Sequence, residues 1–154
     1  MELLERAESG DLERVKTLIQ QGVHVNTKNR CNQTALYFAC EEGHTDVIQY
    51  LLDSGADVSL GANPLIAAVR NDDFECCKLL IQHHASVDCT NSEGESPMSV
   101  AVQEHNYSII LLLLQHGATP STSLNDVAFH LLKRAKAEHA KACLLYTSPS
   151  PRDS

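Results

Sequence analysis

Apolar residues recur along four stretches of the chain at the three- and four-residue spacing that marks one buried face of an α-helix. Each stretch ends on an apolar pair, and the pairs are Leu18-Ile19, Leu51-Leu52, Leu80-Ile81 and Leu113-Leu114. Shorter apolar segments precede the last three stretches and open at Thr34, Asn63 and Ser96. Side-chain oxygens of such residues cap helices by accepting an unpaired backbone N–H. The pattern therefore predicts pairs of helices joined by short turns, with the last three apolar pairs buried between them.

A similar corner follows each apolar pair at a nearly fixed offset. The corners are Gly22-Val23-His24-Val25-Asn26, Gly55-Ala56-Asp57-Val58-Ser59, His84-Ala85-Ser86-Val87-Asp88 and Gly117-Ala118-Thr119-Pro120, in steps of 33, 29 and 33 residues. An offset shared by several positions is the signature of stacked supersecondary units. We therefore predict an all-α repeat solenoid of about four helix–turn–helix units, which lie at residues 1–29, 30–59, 60–91 and 92–119.

These repeats resemble the ankyrin repeat family over residues 3–119, and residues 34–59 look like a near-complete ankyrin unit. The family's usual Thr-Pro-Leu-His opening is imperfect in every copy, because Tyr37, Ile66 and Ser99 stand where it has histidine. The resemblance implies short β-hairpin fingers between units and a role in binding other proteins. It also makes His44 a structural hydrogen-bonding residue of the turn. Asn26 lies where ankyrin asparagines can be hydroxylated, although a turn-forming role is the simpler interpretation.

The links between units differ in length. Asn26 to Thr34 and Asp88 to Ser96 both span eight residues, whereas Ser59 to Asn63 spans four. We therefore predict a first finger at residues 27–33, a second finger at 89–95, and between them a stub at 60–62. A neutral loop deletion explains the short link, because surface links tolerate it. The alternative is a notch that receives a partner.

Composition and charge exclude several classes of function. The longest apolar run, residues 109–114, is far shorter than the roughly 20 residues that span a bilayer. The net charge of −8 argues against binding to nucleic acid or to an anionic membrane surface. We expect an intracellular, cytoplasmic or nuclear monomer whose partner is a protein.

The six cysteines are interpreted as free thiols. They lie at positions 31, 40, 76, 77, 89 and 143 and show no Cys-x-x-Cys or paired Cys/His spacing, which argues against a zinc site. Cys31 and Cys89 fall in fingers two units apart, on the order of 20 Å at normal helix spacing. A disulfide needs Cα atoms within about 7 Å, so a reducing compartment is expected.

The C-terminal part of the sequence differs from the repeats. Residues 120–142 carry one helical apolar stripe, which predicts a C-terminal helix that acts as a cap or as a degenerate fifth repeat. Residues 143–153 resemble the conceptual translation of a sequencing adapter, and their prolines cannot continue a helix. We therefore expect residues 143–154 to be a non-native tail, and the natural protein to continue differently after Ala142.

No catalytic motif or phosphate-cradling glycine loop is present, so the sequence predicts neither an enzyme nor a cofactor or metal site. What remains is surface chemistry. The predicted turns carry many acidic residues, which favour solubility and helix starts or, alternatively, a partner with a basic segment.

The favoured function is a protein–protein interaction module, as the ankyrin resemblance implies, with its site on the concave surface formed by first helices and fingers. The predicted partner-binding residues on the first helices are Tyr37, Glu41, Arg70, Ser99 and Gln103, and those on the fingers are Lys28, Asn29, Arg30, Asn91 and Glu93. The alternative is the N-terminal regulatory or substrate-recruiting region of a larger enzyme, such as a kinase or a ubiquitin ligase.

Overall fold

A computed structural model of the chain describes residues 1–119 together with residues 133, 134 and 137. Residues 1–119 form eight helices in four consecutive pairs. The helices are α1 (Glu2–Ser9), α2 (Leu12–Gln20), α3 (Ala35–Glu42), α4 (Thr45–Asp53), α5 (Pro64–Arg70), α6 (Phe74–Gln82), α7 (Pro97–Gln103) and α8 (Tyr107–Gln115). Two or three residues separate the helices of each pair, so each pair folds back on itself.

The pairs stack in order and build two layers of helices. The first helices α1, α3, α5 and α7 contact one another in sequence, and so do the second helices α2, α4, α6 and α8. Each first helix also packs on the second helix of its own pair. This arrangement confirms the predicted all-α repeat solenoid.

The helix starts follow the predicted capping chemistry. Thr34 Oγ1 accepts a hydrogen bond from the Tyr37 N–H at 3.2 Å, which starts α3. The backbone N–H groups of Ser96 and Ser99 each donate to the other residue's hydroxyl, at 2.9 and 3.1 Å, and close a capping box at α7. Local capping therefore sets the register of the apolar face.

The core is apolar and runs between the two layers through every pair. Leu51, Leu80 and Leu113 are fully buried in it, as the spacing predicts. Leu114 departs from the prediction, since its side chain is only partly buried while that of Leu112 is buried. Leu114 lies near the end of α8, the last of the eight helices within residues 1–119.

Polar side chains tie consecutive units together at the corners. Asn26 Oδ1 accepts a hydrogen bond from the Asp57 N–H at 2.8 Å, and Asp88 Oδ1 accepts one from Thr119 N–H at 2.9 Å. The Nε2 of His44 lies 2.9 Å from the carbonyl oxygen of Glu8, as a structural turn residue should. Asn26 therefore joins two units, which is a larger structural role than a local turn.

Most of the C-terminal predictions lie outside the described residues. Lys133, Arg134 and Ala137 are helical and exposed. The remainder of the predicted helix at 120–142, and the predicted tail at 143–154, stay as expectations from the sequence.

Candidate partner-binding surface

An open groove of about 580 Å³ lies between the two fingers. Cys31 and Asn32 of the first finger line it on one side, and Asn91, Ser92 and Glu93 of the second finger line it on the other. Its floor combines the stub with first-helix residues, and the floor residues include Tyr37, Gly61, Ala62, Asn63, Ile66, Ala67 and Arg70. We call this space the finger groove.

The two fingers have the same internal hydrogen bonding. In the first finger, Asn29 Oδ1 accepts from the N–H groups of Cys31 and Gln33 at 2.9 and 3.0 Å. In the second finger, Asn91 accepts from the N–H groups two and four residues later, at 3.0 and 2.9 Å. An antiparallel bridge from Lys28 to Thr34 extends the first finger by one step. The predicted binding residues Asn29 and Asn91 therefore hold their turns in shape.

The stub packs against the turn of the first finger. Ala62 N–H donates a hydrogen bond to the Asn32 carbonyl at 2.7 Å. Gly61 adopts the left-handed conformation at φ 79°, where L side chains are strained. A Cβ at this position would also clash with the Asn32 carbonyl oxygen. Glycine at position 61 lets the stub pack closely on the first finger. The finger groove beside the stub therefore stays open.

Tyr37, Glu41 and Arg70 come together at one end of the finger groove, around a smaller hollow of about 170 Å³. The Tyr37 hydroxyl donates to Glu41 Oε1 at 3.1 Å, one helical turn away. The Tyr37 ring meets the Phe38 ring edge-on, with centroids 5.6 Å apart. Burial, together with the nearby Glu41 carboxylate, raises the pKa of Tyr37. The side chain is therefore a neutral, half-buried phenol at physiological pH, held in one orientation.

Arg70 is already paired, which the sequence reasoning missed. Its guanidinium donates to the Glu95 carboxylate in a close ion pair and lies 3.7 Å from Glu93 Oε2. Glu95 also accepts from Asn91 Nδ2 at 2.8 Å, and this hydrogen bond, with the Arg70 charge, lowers the pKa of Glu95. Arg70 and Glu95 are separated by 25 residues, and no sequence spacing signals their contact.

The other predicted residues are spread more widely than expected. Lys28 and Arg30 lie on the exposed face of the first finger and do not line the finger groove. The Ser99 hydroxyl takes part in the α7 capping box, so its hydrogen bonds serve to start the helix. Gln103 is exposed at the end of α7 and also lies outside the groove lining.

A sequence model of ankyrin repeats, described as three copies, matches residues 3–91 and 56–123 of the chain. This chain belongs to the ankyrin repeat family. Ankyrin repeats are protein–protein interaction modules and are generally non-catalytic. The finger groove is therefore a feature of an ankyrin repeat stack whose second link, between Ser59 and Asn63, is shortened.

Three similar proteins illustrate the contexts in which such repeats occur. Ankyrin repeat and SOCS box protein 11 of Danio rerio is 40% identical over 95 residues, which cover 60% of this chain and 32% of that protein. E3 ubiquitin-protein ligase XBAT33 of Arabidopsis thaliana is 36% identical over 91 residues, covering 56% and 18%. Serine/threonine-protein kinase 12 of Arabidopsis thaliana is 33% identical over 87 residues, covering 54% and 19%. The chain spans less than a third of the length of each relative.

Several residues of the ankyrin groove escaped the sequence reasoning. Asn63 caps α5 through its Oδ1, as predicted, but its Nδ2 also donates to the sulfur of Cys89, a contact that the sequence did not signal and that links the start of α5 to the second finger. Burial raises the pKa of the Cys89 thiol. Ile66 and Ala67 supply apolar floor. The shortened link is the one sequence feature that points to this part of the surface, and it does not indicate which residues form the groove.

Two exposed aromatic residues of this ankyrin stack lie elsewhere. Phe74 and Tyr107 are 37% and 50% exposed, and they open α6 and α8 at equivalent positions. Neither lines the finger groove. They offer a natural comparison for Tyr37, since all three are partly exposed rings on one scaffold.

The described part of the chain shows no cluster of histidine, cysteine and carboxylate side chains that suits a metal ion. The cysteines at 31, 40, 76, 77 and 89 are free thiols. Among the same residues, none of the helices is both long and apolar enough to cross a membrane.

Proposed function

We propose that this chain binds a partner protein on the concave surface formed by the first helices and the fingers, with the finger groove at its centre. The observation that carries the proposal is the groove itself, about 580 Å³ in volume, which the short stub leaves open. A cleft between packed elements is where a protruding partner segment can be largely desolvated, and desolvated contacts contribute most of the binding energy.

Tyr37 is the proposed anchor. Aromatic residues are enriched among the few interface positions that contribute most to affinity. The hydrogen bond to Glu41 and the edge-on contact with Phe38 already hold the ring in place, so binding costs little further side-chain entropy. A rigid, half-buried tyrosine at the end of a groove has the geometry of such an anchor.

Charge indicates the chemistry of the partner. The chain carries a net charge of −8, and Glu41 and Glu93 are exposed at the groove or at its end. Exposed charges at the rim of an interface mainly accelerate association and select orientation. A partner with a basic segment therefore fits this surface better than an acidic one.

Affinity measurement with matched variants tests the proposal. The full chain serves as bait, and each captured partner is then titrated against purified variants. Tyr37→Ala should weaken binding by on the order of 2 kcal/mol, while Tyr107→Ala, which removes a more exposed ring outside the groove, should leave it unchanged. Unchanged binding by Tyr37→Ala, Glu41→Ala and Arg70→Ala, together with loss in Tyr107→Ala, would overturn the proposed surface.

A second candidate is the recruiting region of a larger enzyme, in which these repeats would hold the substrate. It is favoured by relatives that are named as a ubiquitin ligase and a kinase, and of which this chain matches only 18% and 19%. Sequencing the natural transcript past the codon for Ala142 decides it. A reading frame that continues into a catalytic region supports this candidate, and an early stop codon eliminates it.

A further inference from the structure

The two fingers are alike in backbone and opposite in charge. In both, an asparagine side chain caps the turn, and its backbone N–H donates to a carbonyl four residues later at 3.0 Å. The charged residues of the first finger are Lys28 and Arg30, whereas those of the second are Glu93 and Glu95. The finger on one side of the groove thus carries two cations that lie outside the groove lining, and the finger on the other side carries two carboxylates, of which Glu93 lines the groove.

Each finger keeps charge that no neighbour neutralises. Within the described residues, Lys28 and Arg30 are exposed and form no ion pair. Beside the second finger, Arg70 at the end of α5 pairs closely with Glu95. Glu93 lies 3.7 Å from the same guanidinium and its side chain remains 72% exposed. The first finger is therefore net positive and the second net negative.

The stacking of the units keeps these charges apart, and the short link places no third finger between them. Fingers two units apart are separated by on the order of 20 Å, at the usual 8–10 Å spacing of packed helices. Exposed charges are largely screened beyond about 8 Å at physiological ionic strength. The two fingers therefore do not neutralise each other across the solvent, and a bound chain that spans the groove meets both.

We propose that the finger groove binds an extended segment of the partner that places an acidic residue at the first finger and a basic residue at the second. This inference rests on the proposed function and adds the chemistry and direction of the bound segment. An extended chain rises about 3.3 Å per residue, so the two charged residues should be about six residues apart. Apolar or aromatic residues between them would lie over the floor near Tyr37 and Ile66.

A random peptide library displayed on phage provides a defined probe. Peptides are selected on the full chain and then measured by titration against charge variants. The first finger is reversed in the double variant Lys28→Glu, Arg30→Glu, and the second in Glu93→Lys. Glu95 is left unchanged because it holds Arg70 and Asn91 in place. Lys78→Glu and Glu104→Lys reverse exposed charges that belong to neither finger and do not line the groove, and they serve as matched controls.

The selected peptides should carry an acidic and a basic residue about six positions apart. Reversal of either finger should weaken these peptides about tenfold, and both controls should bind unchanged. Selection on a variant with both fingers reversed should return peptides with the two charges exchanged. Far-UV circular dichroism confirms that each variant is folded.

The outcomes separate this inference from the function on which it rests. Suppose that the selected peptides bind the Tyr37→Ala variant more weakly but share no order of acidic and basic residues. This result would overturn the inference and still support the proposed concave binding surface. Peptides indifferent to Tyr37→Ala and to both fingers would place binding elsewhere and overturn both. A selection that enriches no peptide contradicts both as well.

Discussion

The guanidinium of Arg70, at the end of α5, forms an ion pair with the carboxylate of Glu95 at the end of the second finger. Both side chains are partly exposed to solvent, and exposed ion pairs add little to stability. The contact instead sets the position of the second finger beside the finger groove. Asn91 completes this arrangement, because its amide donates to the same carboxylate at 2.8 Å.

Titration of Glu95 tests this arrangement. Its pKa should lie below the ordinary value of a glutamate, and Asn91→Ala should raise it by removing the main hydrogen bond, as should Arg70→Ala. Since the folded-state pKa is depressed, the stabilisation is present above the unfolded-state pKa and is lost as the pH falls through the folded value. NMR-detected titration of the side-chain carboxyl measures the shift, with Ser92→Ala as the control. An unchanged pKa in Asn91→Ala would contradict the assigned contact.

Truncation of Leu80 tests the stacked core. Leu80 is fully buried in α6, so Leu80→Ala should lower the free energy of unfolding by about 2–5 kcal/mol through lost burial and a cavity. Leu114→Ala removes the same atoms from a partly exposed site and should cost clearly less. Urea denaturation of both variants gives the comparison. Equal losses would mean that the two leucines share one environment, contrary to the structure.

Two glycines test the closure of the stub. Gly61 and Gly94 have similar left-handed φ values of 79° and 78°, so alanine at either should cost about 1–2 kcal/mol. At Gly61 the new Cβ also meets the Asn32 carbonyl oxygen, whereas at Gly94 nothing lies within 4 Å. Gly61→Ala should therefore lower the melting temperature more than Gly94→Ala. A larger loss in Gly94→Ala would show that the stub does not rest on the first finger.

Thiol labelling tests the packing of the cysteines. Burial raises the pKa of Cys40 and Cys77, and Cys76 is fully buried beside them in the core. The thiolate is the nucleophile that attacks an alkylating reagent, so these three thiols should react slowly in the folded protein. Cys31 is exposed and should react first. Peptide mapping by mass spectrometry, before and after denaturation, reads each site, and rapid native labelling of Cys76 would contradict the core packing.

The sequence by itself determined the repeat and the helices within it. The N-cap at Thr34, the capping residue Ser96 and the apolar positions such as Leu51 act over three or four residues, so their patterns are legible without a structure. The unequal links were legible as well, because the corners recur in steps of 33 and 29 residues. The length of the link between Ser59 and Asn63 indicated that it is too short for a finger. The ankyrin resemblance predicted that the two longer links form hairpin fingers.

Only the tertiary structure decided how the predicted surface is arranged. Arg70 meets Glu95 across 25 residues and Asn26 reaches Asp57 across 31, because the stacking distance and the link lengths bring them together. Leu114 has the spacing of a core residue, yet it is only partly buried on the last of the eight helices. A local pattern shows which face of a helix is apolar, but it contains no information on what packs against that face or which charges meet across a gap. Those contacts depend on where each neighbouring unit lies in three dimensions.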